Sequence, residues 1–318
     1  MKFGLLRNFK IAFYLLGFGS SIPVGSEEIQ HDGWVAAVAY SPDGKLATGG
    51  EDSITRIWST CLELVEAVKS HDSAITTLAF SPDGKQLATG YWDGTLVVKY
   101  MDGKRLDFAA RDHLENITCI EYSHDGKLLA TGSGDDSLHI RSTRDFKILT
   151  TIELGNEYDV NCLSFTPDAT RIATGDGENE LKVWDAQNGD ELLFIDGHDE
   201  TVTSVAFSPD GKSLYSGSWD DSVVKWEVED GTPLKVFETE AKPGEDLDVM
   251  AFALSKTGRR LAVLHDPSTL RVWDTHGAKL LLNQKFPHNL TSLSFSHDGK
   301  MLAVASKGIV RIHLSDGL

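Results

Sequence analysis

One apolar position starts a new unit seven times along the chain: Val35, Ile75, Ile117, Val160, Val202, Val249 and Leu290. The spacings are 40, 42, 43, 42, 47 and 41 residues. Five units follow this position with Ser-Pro-Asp-Gly-Lys or Ser-His-Asp-Gly-Lys; the fourth has Thr166-Pro167-Asp168-Ala169-Thr170 and the sixth Ser255-Lys256-Thr257-Gly258-Arg259. Self-similarity at this period marks an array of supersecondary units, none able to bury its apolar face alone.

Within repeat one, Trp34 to Tyr40 reads as a strand with small residues on one crowded face. Pro42-Asp43-Gly44 is a tight turn, because Pro presets φ and Gly tolerates a positive one. Leu46 to Gly50 reads as a second strand. Ile54 to Trp58 alternates and is β-branched, which predicts a third. Leu62 to Val68 predicts a fourth, more exposed strand. Four short antiparallel strands per unit form one blade of a propeller.

These residues resemble the WD40 repeat. His31 stands four positions before Val35, Asp52 in the second turn, and Trp58 six further on. Gly197-His198 and Val183-Trp184-Asp185 carry the two dipeptides most plainly, and Val272-Trp273-Asp274 repeats the second. The resemblance spans about 31 to 314. It implies an all-β fold: a seven-bladed β-propeller of four-stranded antiparallel blades.

The resemblance also implies a buried hydrogen-bonded set of His, strand Ser or Thr, turn Asp and Trp. Repeat one has His31, Thr48, Asp52 and Trp58. Repeat five has His198, Ser216 or Ser218, Asp220 and Trp226. Repeats two and three keep His71, Thr89, Asp93 and His113, Thr131, Asp135, with Lys99 and Arg141 at the Trp position. Repeat four has Asn156 for His, Glu178 for Asp, and Trp184. Repeat six keeps only Trp273, after a turn lengthened around His265-Asp266-Pro267. Repeat seven has Phe286 and His313 at the His and Trp positions.

The last repeat stops after its third strand, and an exposed sheet edge invites aggregation. Alignment with Glu191 to His198 places a closing strand at about 23 to 30, so the two ends of the chain are expected to pair. Before it, Lys2, Arg7 and Lys10 precede a nine-residue apolar run and Gly19-Ser20-Ser21. That layout matches a secretory signal peptide, or alternatively an apolar N-terminal extension, over residues 1–21. Residues 22–318 are then one propeller domain, with no Pro-rich or Ser-rich linker.

Composition adds a sign. Against 30 basic side chains stand 48 acidic ones, a net charge of −18. Such a field disfavours nucleic acid and anionic lipid and favours basic partners. The apolar run is too short for a membrane span. Cys61, Cys119 and Cys162 cannot all pair within the chain, which points to a reducing, cytoplasmic compartment; export through the N-terminal segment is the alternative. No phosphate loop, nucleophile elbow or Cys-x-x-Cys pair is present, and neither a metal nor a cofactor is expected. The inner strands read as small-residue strands that supply no converging acids or histidines.

Three tryptophans stand outside the third-strand position. Trp34 immediately precedes its first-strand Val; Trp92 and Trp219 immediately precede their turn Asp. In the WD40 family these phases project onto the top face around the channel. Asp159 and Asp248 share the phase of Trp34, and Glu51 precedes Asp52. An aromatic and acidic rim suits a Lys- or Arg-containing peptide or protein. The expected function is a non-catalytic interaction scaffold, either a monomeric propeller or a subunit of a complex. The alternative is an exported propeller that binds or hydrolyses a small molecule or glycan at its channel.

Overall fold

The structure is a computed structural model that describes residues 26–103, 107–155, 158–237, 247–266 and 268–314, with side chains described from Gly33 to Ser306 within those ranges. The segment 1–21 and Asn156 lie outside the described residues, as do the side chains of His31 and His313.

Repeats two to six each form one four-stranded antiparallel sheet in chain order. Repeat two is representative, with strands Ile75–Phe80, Gln86–Tyr91, Thr95–Tyr100 and Phe108–Arg111. Repeats one and seven share a six-stranded sheet. Its two long members are Ser26–Tyr40 and Met301–Leu314. Each takes part in two pairings. Ser26 to Gln30 pairs antiparallel with Ile309 to His313, while Val35 to Tyr40 pairs with Leu46 to Gly50. The sequence reading separates the closing segment from the first strand of repeat one; the structure runs them together. The register shifts between Gln30 and Trp34, where Gly33 has a φ of 102° that a side chain would resist.

The residue that opens each repeat also explains how repeats pack. The next-to-last second-strand residue of repeats one to five is Gly49, Gly90, Gly132, Gly175 or Gly217. A Cβ there would fall 2.4–2.9 Å from a side-chain atom of the following repeat's Ile75, Ile117, Val160, Val202 or Val249. The glycine is a hole and the opening residue its knob. Close packing of this kind leaves no room for even one methyl. Repeats six and seven carry Leu264 and Ala305 instead. Leu264 shares an apolar cluster with Leu290, and Ala305 shares one with Val35 of repeat one.

Among the described residues, each apolar cluster joins two repeats. Ala47 and Ile57 pack with Leu78 and Leu87, Leu138 and Ile140 with Leu163 and Phe165, and Val183 with Val205 and Phe207. No repeat closes a core by itself, as the periodicity requires. First strands neighbour one another from repeat to repeat, and Leu290–Phe295 of repeat seven lies against Ser26–Tyr40. Fourth strands lie outermost and expose alternate side chains, among them Leu64, Leu192 and Leu234.

The His-Ser-Asp-Trp set is complete in repeat five. His198 Nε2 lies 2.6 Å from Ser216 Oγ, which also accepts from Trp226 Nε1 at 2.6 Å, and His198 Nδ1 meets Asp220 Oδ2 at 2.8 Å. Ser218 instead donates to the Glu200 carbonyl and accepts from the Asp220 N–H. Burial pushes Asp220 up, but hydrogen bonds from His198 and Ser222 outweigh it and hold the carboxyl down at about 2. In repeat one, Trp58 Nε1 donates to Thr48 Oγ1 at 3.0 Å, while Asp52 pairs with Arg56 at 2.6 Å.

Substituted positions find other partners. Lys99 reaches Glu66 of repeat one at 3.1 Å, and Arg141 reaches Asp112 at 2.7 Å. One sequence assignment changes, in repeat six. In repeat four the turn is organised by buried Asp176, whose Oδ1 accepts from the N–H groups of Glu178 and Glu180; Asn156, the residue matched to Glu178, lies outside the described residues. In repeat six His265 is not in a turn. It ends the strand Arg260–His265, donates from Nδ1 to the Leu247 carbonyl at 2.8 Å, and packs edge-on against Trp273. Burial lowers its pKa to about 4, so this imidazole is neutral in ordinary buffers.

Candidate functional site

Each sheet has two chemically distinct ends. At one end is the Ser-x-Asp-Gly turn. At the other, the residue before the first strand faces the residue after the second. Glu51 N–H donates to the Trp34 carbonyl at 3.2 Å, Trp92 N–H to Ala74 at 2.9 Å, and Trp219 N–H to Thr201 at 3.1 Å. Asp266 N–H donates to Asp248 in the same way at 3.0 Å. The two phases therefore sit across one hydrogen bond from each other, at the same end of every sheet where it is seen.

Exposure differs among the tryptophans. Trp92 is 65% and Trp219 42% exposed, whereas Trp34 is half-buried. Glu51 and Asp159 are exposed and Asp248 is half-buried. Trp34 does not meet the expectation of substantial exposure; its N–H also points at Glu51 Oε2, 3.4 Å away. Asp159 leans over the preceding repeat, since a Cβ on Gly134 would lie 3.5 Å from its carboxyl carbon.

Trp92 and Trp219 belong to repeats two and five, so a contact surface needs something between them. Two residues passed over in the sequence occupy that interval. Leu114 of repeat three is 84% exposed, its N–H tied to Asp135 Oδ2 at 2.7 Å. Tyr158 of repeat four is 42% exposed and lies against Gly177. Trp92, Leu114, Tyr158 and Trp219 thus present one large side chain per repeat over four successive repeats. The signal was available: both extra residues stand within three positions of the opening apolar residue.

The channel wall carries one acid that the expectation of small inner strands misses. Glu121 stands where the other repeats have Ala39, Ala79, Ser164, Ala206, Ala253 and Ser294. Its Oε2 accepts the Phe165 N–H of repeat four at 2.9 Å, and the Ser164 hydroxyl bonds the same carboxyl. Glu121 is half-buried by surface area but closely walled by protein. Burial raises its pKa to about 8 against those two hydrogen bonds. Ser164, Ser204, Ser292 and Ser294 accept a first-strand N–H from a neighbouring repeat in the same manner. Glu121 is therefore a longer member of a set that satisfies inner-strand edges.

No group of three His, Cys, Asp or Glu side chains among the described residues is spaced to hold a metal ion. No helix among them is long and apolar enough to cross a membrane.

The architecture is that of an all-β propeller of four-stranded antiparallel blades. The family model for the WD domain, G-beta repeat, matches residues 26–59, 62–98, 108–142, 146–185, 189–227 and 281–313, and the chain belongs to the WD40-repeat family. The unmatched stretch contains repeat six, where Val263 stands at the Ser or Thr position and His265 packs on Trp273. No curated protein matches the sequence.

Proposed function

We propose that this chain is a seven-bladed propeller, closed by its N-terminal strand, that serves as a non-catalytic protein-interaction scaffold. Its occupant is a peptide or protein segment containing Lys or Arg, seated on the rim that carries Trp92 and Trp219. WD40 propellers usually bind proteins or peptides. Closure is supported by the pairing of Ser26 to Gln30 with Ile309 to His313. A reducing, cytoplasmic setting accords with three unpaired cysteines, of which Cys61 is exposed.

The single observation that carries the binding reading is the arc of exposed Trp92, Leu114, Tyr158 and Trp219 with Glu51 and Asp159 on the same rim. Large aromatics anchor interfaces, and cations are drawn to both ring faces and carboxylates. Trp34 and Asp248, being half-buried, belong to the edge of this surface. The test is affinity capture of partners with wild type against a Trp92→Ala, Trp219→Ala double variant of unchanged thermal stability. Loss of a reproducible basic partner supports the rim; capture of the same partners by both proteins would refute it.

A further inference from the structure

The opposite end of the channel carries a second chemistry. The second residue of the seven turns at this end, five of them Ser-x-Asp-Gly, is Pro42, Pro82, His124, Pro167, Pro209, Lys256 and His297 in chain order. All seven turns close with the same backbone bond, from the fourth residue's N–H to the first residue's carbonyl, at 2.7–3.0 Å. The turn asks nothing of its second side chain, and Pro there stabilises by restricting the unfolded chain. Three repeats forgo that gain, and all three carry a basic side chain instead.

Two of those side chains meet, and the third shares their cavity. Lys256 Nζ lies 3.0 Å from His297 Nε2, and its charge also reaches His124. All three line one cavity of about 370 Å³, whose inner walls are Tyr40, Phe80 and Tyr122. Among the described residues no carboxylate lines it. The nearby acids face their own turns: Asp125 holds Ser123 and Lys127, and Asp298 holds Ser296 and the Lys300 N–H. In the sixth repeat the acid is replaced by Thr257. A chain with an excess of 18 negative charges has thus gathered three basic groups around an aromatic cavity free of acids.

We propose that this mouth of the channel binds a carboxylate carried on an apolar group. The apolar part enters between Tyr40, Phe80 and Tyr122, and the carboxylate accepts hydrogen bonds from Lys256 Nζ and the His124 and His297 rings. The volume falls within the range of small-ligand sites, which pair apolar walls with a few polar groups. Charge-assisted bonds to Lys and His fix the carboxylate end. Two sources share this chemistry, a free aryl-alkyl acid and a peptide C-terminus ending in an aromatic residue. The site lies at the other end of the sheets from the tryptophan rim and does not depend on it.

The test is titration of the full chain with 3-phenylpropionate, its amide, and a tetrapeptide ending in Phe as free acid or amide, followed by calorimetry and by the histidine ring resonances. The acid should shift His124 and His297 and bind about tenfold or more tightly than its amide, as expected when a charge-assisted contact is lost. Tight binding of the peptide acid alone identifies a protein terminus as the source; equal binding of the small acid identifies a metabolite. A His124→Pro, Lys256→Pro, His297→Pro variant, which only copies the chain's other turns, should lose this discrimination. A triple Gln variant serves if that protein does not fold. Equal affinity for acid and amide, no binding at millimolar probe, or unchanged discrimination in the folded variant would overturn the proposal.

Discussion

The Thr291 hydroxyl of repeat seven donates to the Val35 carbonyl of repeat one across 2.6 Å. The same link recurs around the inner strands. Thr76 donates to Ile117, Thr118 to Val160, and Thr203 to Val249 at 2.7 Å, while Asn161 donates through its amide to Val202 at 3.3 Å. Each acceptor is the apolar residue that opens the next repeat. Its carbonyl takes the preceding repeat's side-chain donor, and for Ile117, Val160, Val202 and Val249 its side chain also fills the glycine hole in the preceding sheet. Ala36 and Met250 have no donor to offer, so two junctions lack this link; Lys99 reaches Glu66 across the first, and Arg260 donates to the Gly299 carbonyl across the second.

Thr291→Val keeps the shape and removes the donor. It should destabilise by roughly 0.5–1.5 kcal/mol, and by up to about 3 if the Val35 carbonyl gains no water. Urea denaturation should show a lower midpoint at unchanged slope. Equal midpoints would mean that the junction between repeats seven and one is not held by this bond.

Ser216→Ala tests the buried set of repeat five. Ser216 Oγ serves both His198 and Trp226, so its loss strands two groups at once. A cost of about 2–4 kcal/mol follows from one to two unsatisfied buried partners. Thr48→Val in repeat one likewise removes the acceptor of the Trp58 indole and should also destabilise. Thermal melts of Ser216→Ala that match wild type would count against the role of this hydroxyl.

The same set gives an acid limb. Asp220 is held at about 2, below the ordinary 3.8, so its stabilisation is full above pH 4 and is lost as pH falls through 2. The contribution is roughly 1–2 kcal/mol by linkage. Asp220→Asn should therefore be less stable than wild type at pH 6 and converge with it near pH 2, as followed by urea unfolding.

The repeat pattern made legible what depends on phase within one unit. Turns, strands, the His-Ser-Asp-Trp positions and the opposed phases of Trp34 and Trp92 all recur at fixed offsets from one apolar residue. What depends on a neighbouring unit was not legible. Glu121 finds its N–H donor 44 residues away, in the next repeat. Its position holds small residues elsewhere, so phase alone argued for a small residue. His265 read as part of a lengthened turn because Asp266-Pro267 signals one locally, yet packing on Trp273 extends the strand through it. Leu114 and Tyr158 went unremarked in the sequence because only their exposure in adjacent repeats makes them one arc.

Removal of residues 1–30 tests the shared sheet of repeats one and seven. The deletion takes away Ser26 to Gln30 and leaves the backbone edge at Ile309 to His313 unpaired. An exposed edge of this kind templates association. The truncated chain should melt at lower temperature and show concentration-dependent oligomers in size-exclusion chromatography. A monomer with the parent melting curve would show that the edge needs no cover.

Glu121 predicts an alkaline limb of opposite sign to that of Asp220. In the folded chain it titrates near 8, and an ordinary glutamate near 4.5. Between those values the folded state holds a proton that the unfolded state has released. Stability from this group is therefore full below pH 4.5, falls as pH rises toward 8, and levels off above it. The slope cannot exceed about 1.4 kcal/mol per pH unit for one proton. Glu121→Gln retains an oxygen acceptor for the Phe165 N–H and carries no titrating proton. The variant should gain on wild type steadily from pH 5 to pH 8, as read by urea midpoints, with the gap constant at higher pH. If the difference between the two proteins does not change across that interval, Glu121 is solvated through the channel and its carboxyl is not buried in the sense argued above.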